Sequence, residues 1–135
     1  MSNMAGTGVD LYQGHVSRIV AVQNGRTGIS VGSGGIFVSG VVVSGNTVRQ
    51  NAGNGINAFA GGTVIGNSVV GNAGDGISGE NILVSQNTIV ESGVHGIQMN
   101  VNGGFRGNTI TSAGTIAVVG GINLGDNTCG SAVCP

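Results

Sequence analysis

Tryptophan and lysine are absent from this chain, proline occurs once, and charged residues make up only 7% of it. An average soluble domain carries about 25% charged residues. Arginine and acidic residues nearly cancel, leaving a formal net charge of −1. A protein that holds a phosphate backbone needs clustered cations, so nucleic acid is excluded as a partner. The same shortage argues against docking on anionic membranes. The longest apolar stretch, around Gly35 to Val43, falls short of the roughly 20 residues that span a bilayer, so no membrane insertion is expected. The opening Met-Ser-Asn-Met-Ala-Gly lacks a charged and then apolar leader, so no signal peptide is visible.

What is present is glycine, at 29 of 135 positions, and hydrophobic residues, at 39%. Many of these are valine and isoleucine, which disordered chains lack. Collagen is excluded because no Gly-X-Y period runs through the sequence. The length fits one domain, residues 1–135.

An internal repeat organises the chain. The segments starting at Val43, Val64 and Val84 align over fourteen residues without gaps, and those from Val16 and Phe105 align less closely. The first column holds Val16, Val43, Val64, Val84, Phe105 and Leu124. The sixth holds Ala21, Val48, Val69, Ile89, Ile110 and Cys129. The fourteenth holds Ile29, Ile56, Ile77, Ile97 and Val118, with Val9 one coil earlier. Successive repeats start 27, 21, 20, 21 and 19 residues apart. Only three leucines occur, which excludes a leucine-rich repeat, and Gly with β-branched residues disfavours helical repeats. A coil of this size cannot bury its apolar face alone, so the coils must stack. The predicted fold is all-β, a right-handed parallel β-helix of about six coils of roughly 20 residues.

The fourth column holds Asn46, Asn67, Asn87, Asn108 and Asn127, with Ile19 as the exception in the first coil. It is expected to form a structural asparagine ladder at a corner. The fifth column, Thr47, Ser68, Thr88, Thr109 and Thr128, reads as an outward hydroxyl row. A second corner, Asn-Ala-Gly-Asn-Gly at 51–55 and Asn-Ala-Gly-Asp-Gly at 72–76, is expected to supply the positive φ of a tight turn.

The recurrent Gly-Asn-Thr/Ser-Val/Ile and Asn-Gly-Ile frames resemble the parallel β-helix repeat proteins, a group with pectate-lyase-like and tailspike-like members. The resemblance covers nearly the whole chain, and the Asn-Thr-Cys…Cys-Pro ending is similar to the C-terminus of bacterial secreted members. It implies the architecture specifically and an activity hardly at all. Cys129 and Cys134 are spaced for a disulfide that pins a cap over 127–135, which would imply an oxidising, extracellular or cell-surface setting; the alternative is two unpaired thiols.

Chemistry is sparse. A structural zinc site wants four ligands, and calcium wants six to eight oxygens, so neither metal nor cofactor is expected. Asp10, Asp75, Glu80, Glu91 and Asp126 fall in different columns, as do Arg18, Arg26, Arg49 and Arg106. One pair aligns: the twelfth column reads Thr7, Thr27, Asn54, Asp75, His95, which puts Asp75 and His95 one coil spacing apart. They are weak catalytic candidates, because an Asp–His pair orients an imidazole but no nucleophile accompanies it. His15 and Arg106 read as solvated surface. Tyr12 and Phe37 are weak candidates for a ligand platform, Phe37 lying in an insertion of the longer second coil, near 30–40.

Three classes of function remain. The first is a non-catalytic structural or interaction module, self-associating through its coil ends or binding polysaccharide. The second is a polysaccharide lyase, a glycoside hydrolase, or the C-terminal piece of one. The third is a phage-like fibre protein, for which exposed coil ends would be the hallmark. The scattered acids favour the first over an enzyme. The start lacks a capping helix, so the first coil is expected to be bare and to invite another β-helix chain.

Overall fold

A computed structural model describes residues 1–32, 40–59, 61–99, 102–111, 113–130 and 132–134, with the side chains of 132–133 outside the description. The first turn consists of β1 (Val9–Leu11), β2 (His15–Ser17) and β3 (Val20–Val22). The second is β4 (Ile29–Val31), β5 (Val42–Ser44) and β6 (Thr47–Arg49), and the third is β7 (Ile56–Ala58), β8 (Thr63–Ile65) and β9 (Ser68–Val70). The fourth is β10 (Ile77–Gly79), β11 (Leu83–Ser85) and β12 (Thr88–Val90), and the fifth is β13 (His95–Met99), β14 (Gly104–Arg106) and β15 (Thr109–Thr111). The last rung comprises β16 (Ile116–Val119), β17 (Ile122–Asn123), β18 (Thr128–Cys129) and β19 (Ala132–Val133).

Every third strand pairs in parallel, giving three sheets around one core. The first sheet runs β1-β4-β7-β10-β13-β16, the second β2-β5-β8-β11-β14-β17, and the third β3-β6-β9-β12-β15-β18, with β19 on its end. The chain is thus a parallel β-solenoid of about five complete turns. Its three apolar stacks face inward: Val43, Val64, Val84, Val48, Val69, Ile89, Ile56, Ile77 and Ile97 are all fully buried. Registers such as Ile29↔Ile56 and Val48↔Val69 set like residues on like. A further interior column, Val31, Ala58 and Met99, packs beside Val41 and Ile82 at the corner between the first two sheets. Gly79 occupies that column where a Cβ would run into the backbone carbonyl of Ala58 one coil back, so the glycine is set by the close approach of the neighbouring strand.

The first column departs from expectation in the last coil. Phe105 pairs with Asn123, not with Leu124, and Leu124 is 53% exposed. The extra residue lets the turn place Asn123 at the foot of the asparagine ladder. There its Oδ1 accepts from Asn127 Nδ2 at 2.8 Å, ending the ladder on a satisfied group.

The ladder itself is a repeated double hydrogen bond. The backbone N–H and Nδ2 of Asn46 both donate to Asn67 Oδ1 at 2.9 Å, and the pattern continues to Asn87, Asn108 and Asn127. The second Nδ2 hydrogen goes to a carbonyl one coil back, as from Asn67 to Val43 at 3.0 Å. All five side chains are buried, and each amide is used on both its oxygen and its nitrogen.

The second corner works differently from the expected turn. Asn24, Asn51 and Asn72 form a second buried ladder, with Nδ2-to-Oδ1 distances of 2.8 Å between neighbours. The left-handed backbone lies one residue before each ladder position. Gln23, Gln50, Gly71 and Glu91 have φ between 53° and 63°, and Arg18, Gly45, Gly66, Gln86, Gly107 and Asp126 play the same part at the first corner. Gly55 and Gly76 instead allow close approach: a Cβ on Gly55 would lie 2.5 Å from Val69 Cγ1 and 2.6 Å from the carbonyl oxygen of Gly76.

Nor is the first coil fully bare. Ser2 makes a parallel bridge to Val22, and the Met1 ammonium donates to the Val20 carbonyl at 2.8 Å. The third sheet is therefore covered at this end, while the first and second begin at β1 and β2.

Candidate functional site

The outer face of the first sheet gathers the polar side chains that the core does not consume. Two columns flank its inward-facing isoleucines. One carries Thr27, Asn54, Asp75 and His95 just before the corner glycines, and the other carries Ser30, Asn57, Ser78 and Gln98. The rung repeat brings these residues into contact, since equivalent positions on adjacent coils sit about 4.8 Å apart.

His95 opens β13, the longest described strand, and its Nδ1 lies 2.8 Å from Asp75 Oδ1. The backbone N–H of His95 donates to the same oxygen at 3.2 Å. With Asp75 ionised, Nδ1 carries the proton and Nε2 is left as the acceptor of the neutral ring. The two side chains are 23% and 15% exposed, so the pair sits at the surface without being washed by solvent on every side. One rung back, Asp75 N–H donates to Asn54 Oδ1 at 2.9 Å, and Asn54 Nδ2 donates to Asn57 Oδ1 at 2.8 Å. Asn57 Nδ2 reaches Thr27 Oγ1 at 3.4 Å, and Ser78 Oγ donates to Gln98 Oε1 at 2.9 Å. The result is a tape of linked amides and hydroxyls across four rungs, ending on the Asp75–His95 pair.

This arrangement can hold a ligand by neutral hydrogen bonds and can take up a proton at one imidazole nitrogen. The remaining acids lie elsewhere. Asp10 is on β1 opposite Ser30, Glu80 follows β10, and Glu91 and Asp126 occupy left-handed corner positions. Among the described residues no three His, Cys, Asp or Glu side chains come together as a metal set.

Tyr12 stands at the corner after β1 and is 61% exposed. Phe37 lies outside the described residues, as do 33–39 of the longer coil. His15 is exposed, as expected of a surface residue, and its Nε2 lies 2.7 Å from Ser44 Oγ on the outer face of the second sheet. Reading along one column misses this contact, because it runs diagonally between rungs, from the residue before Val16 to the one after Val43. Asn54, Asn57, Ser78 and Gln98 were also missed as a group. They lie in two columns that become one surface only when the chain coils.

The two ends differ from the sides. At the N-terminal end an open hollow of about 210 Å³ is lined mainly by Met1, Val9, Leu11, Val16 and Ile19. At the other end Ile116, Ile122 and Leu124 are 54%, 63% and 53% exposed. Cys129 and Cys134 are joined by a disulfide with an S–S distance of 2.02 Å.

Comparison with curated proteins and with solved structures returned no match. A family model described as the right handed beta helix region matches residues 1–131, and three parallel sheets wound about a Val/Ile core are the architecture it describes; the chain belongs to the right-handed β-helix family.

Proposed function

We propose that this chain is a rigid, non-catalytic scaffold and recognition module whose contact surface is the outer face of the first sheet. The observation that carries this reading is the hydrogen-bonded tape from Thr27 through Asn57, Asn54 and Asp75 to His95. Backbone ladders hold these side chains on a regular lattice, so little conformational entropy is lost when a partner binds. The tape is rich in amides and hydroxyls and carries one carboxylate, which suits a neutral, hydroxyl-rich polymer such as a polysaccharide. The disulfide supports an extracellular or cell-surface setting, where such bonds persist.

A second reading, a carbohydrate-active enzyme, is favoured by the Asp75–His95 geometry alone. A carboxylate-oriented imidazole is a competent proton acceptor. A glycan array followed by a depolymerisation screen separates the two. The expected result is retention of the chain on a neutral glycan with no release of shorter fragments. Asn57→Ala with Gln98→Ala should weaken that retention about tenfold, about 1.4 kcal/mol, with an unchanged melting curve. Absence of retention on every neutral glycan overturns the proposal. Fragment release that His95→Ala abolishes would establish the enzyme instead.

A further inference from the structure

The outer face of the third sheet carries hydroxyls that the fold does not use. Strands β6, β9, β12 and β15 each bury their central residue and turn the two flanking ones outward. One outward row is Thr47, Ser68, Thr88, Thr109 and Thr128, each in register with the next. The second row, two residues further on, is Arg49, Val70, Val90 and Thr111. Outward side chains of the first sheet bond to one another, as Asn54 does to Asn57 and Ser78 to Gln98. Among the described residues, the hydroxyls of Thr47, Ser68, Thr88, Thr109 and Thr111 have no such partner.

The array is regular, stiff and nearly uncharged. Its side chains repeat about 4.8 Å apart from strand to strand and about 6.7 Å apart along each strand. Threonine and valine are β-branched, so few rotamers are open to them. The strands are also pinned. Strand β6 runs between Asn46 and Asn51, and β9 between Asn67 and Asn72, one residue from each ladder; β12 and β15 follow Asn87 and Asn108. Arg49 is the one ionisable side chain in the two rows, so an ionic partner meets no complementary charge. The rows hold no aromatic ring, amide or carboxylate, so a sugar meets neither a stacking platform nor a planar hydrogen-bonding group. What the face offers is methyl and hydroxyl groups on a two-dimensional lattice. Its complement is an uncharged lattice of hydrogen-bonding oxygens, and hexagonal ice repeats its oxygens at a short and a long distance close to these two.

We propose that the outer face of the third sheet is an adsorption site for the surface of ice. The hydroxyls of Ser68, Thr88, Thr109 and Thr111 take the places of lattice waters. The methyl groups of Thr88, Val90 and Thr109 lie between them and exclude disordered water, which is favourable for apolar surface. The fixed spacing supplies selectivity, because a preorganised array loses little freedom when it meets a matching lattice. A single hydroxyl–water bond is worth little against bulk water. Many made at once by one rigid body cost little more entropy than the first. This face is separate from the polar tape on the first sheet, and neither reading depends on the other.

The test grows ice slowly from a dilute solution of the full chain and measures the protein taken up by mass spectrometry, beside an unrelated soluble protein. Nanolitre osmometry reads the gap between melting and freezing. The chain should be enriched in the ice and should open that gap, while the control protein is excluded. Thr88→Tyr with Thr109→Tyr, which lifts a lattice off the face, should abolish both effects with an unchanged circular dichroism spectrum. Thr88→Ser with Thr109→Ser keeps the hydroxyls, removes the methyls and should weaken both. Asn57→Ala with Gln98→Ala, on the first sheet, should change neither. A chain excluded from ice overturns the proposal, and so does undiminished uptake of the folded tyrosine pair. If the tyrosine pair unfolds, the serine pair decides, and undiminished uptake there overturns it. A chain held on microcrystalline cellulose or chitin and excluded from ice also overturns it, in favour of a crystalline polysaccharide.

Discussion

Asn67 shows how much one side chain carries here. Its Oδ1 accepts from both the backbone and the side chain of Asn46, and its Nδ2 serves Asn87 and the carbonyl of Val43. Truncation leaves the buried backbone and side-chain donors of Asn46 without their acceptor, while Asn87 Oδ1 keeps only the backbone N–H of residue 67. Stranding a buried polar group costs about 1–3 kcal/mol, so Asn67→Ala should lower stability by about 3 kcal/mol, read as a shifted urea midpoint at unchanged slope. Ser92 is the converse case. It follows Asn72 in the second ladder, is 3% exposed, and its Oγ has no hydrogen-bond partner. An amide there would give Asn72 the acceptor its own neighbours enjoy, so Ser92→Asn should raise stability by about 1 kcal/mol in the same measurement. The asparagines of the first ladder were legible as a column. The second ladder was not, because Asn51 and Asn72 stand beside glycines and read equally well as turn residues.

The corners use two kinds of glycine, and they should respond differently to the same substitution. Gly66 has φ +66° and open space around its Cα, so an added methyl group meets only the backbone penalty of the left-handed region. Gly55 has an ordinary backbone conformation, but a Cβ there would run into Val69 and the backbone of Gly76. Gly66→Ala should cost about 1 kcal/mol, and Gly55→Ala about 3 kcal/mol, measured side by side by thermal unfolding. Gln50 and Gln86 show that the left-handed position tolerates a side chain, since both adopt it, with φ 55°. A sequence motif cannot separate these roles. Gly-x-Gly reads the same whether the glycine is needed for its dihedral angle or for the strand that passes one coil away.

The molecule as a whole is a stack of near-equivalent turns, and its stability is expected to grow with the number of nearest-neighbour contacts. Deleting residues 64–83 removes one period of 20 residues and joins Thr63 to Val84, which keeps every column in step. That variant should retain the β circular dichroism spectrum and melt at a lower temperature. Deleting 64–73 shifts the interior columns onto the outside and should abolish the cooperative transition, because a strand displaced out of phase buries its polar face. The same regularity explains the small share of the surface left for recognition. Inward columns are committed to packing and the ladders to hydrogen bonding. Side chains such as Asn57 and Gln98 face outward from the first sheet, held in place there by hydrogen bonds with Asn54, Thr27 and Ser78.

By itself the sequence determined the solenoid, its period, its three apolar stacks and the Asp75–His95 register. These follow from columns repeating about every 20 residues, and stacking converts a column directly into a neighbour. Only the tertiary structure decided what the breaks in the pattern do. Asn123 replaces Leu124 at the foot of the core because the ladder needs a polar end, and His15 reaches Ser44 along a diagonal. Strand β19 reverses over β18, held by a disulfide. Those outcomes depend on contacts between residues in different columns, and their geometry exists only once the coils are laid on one another.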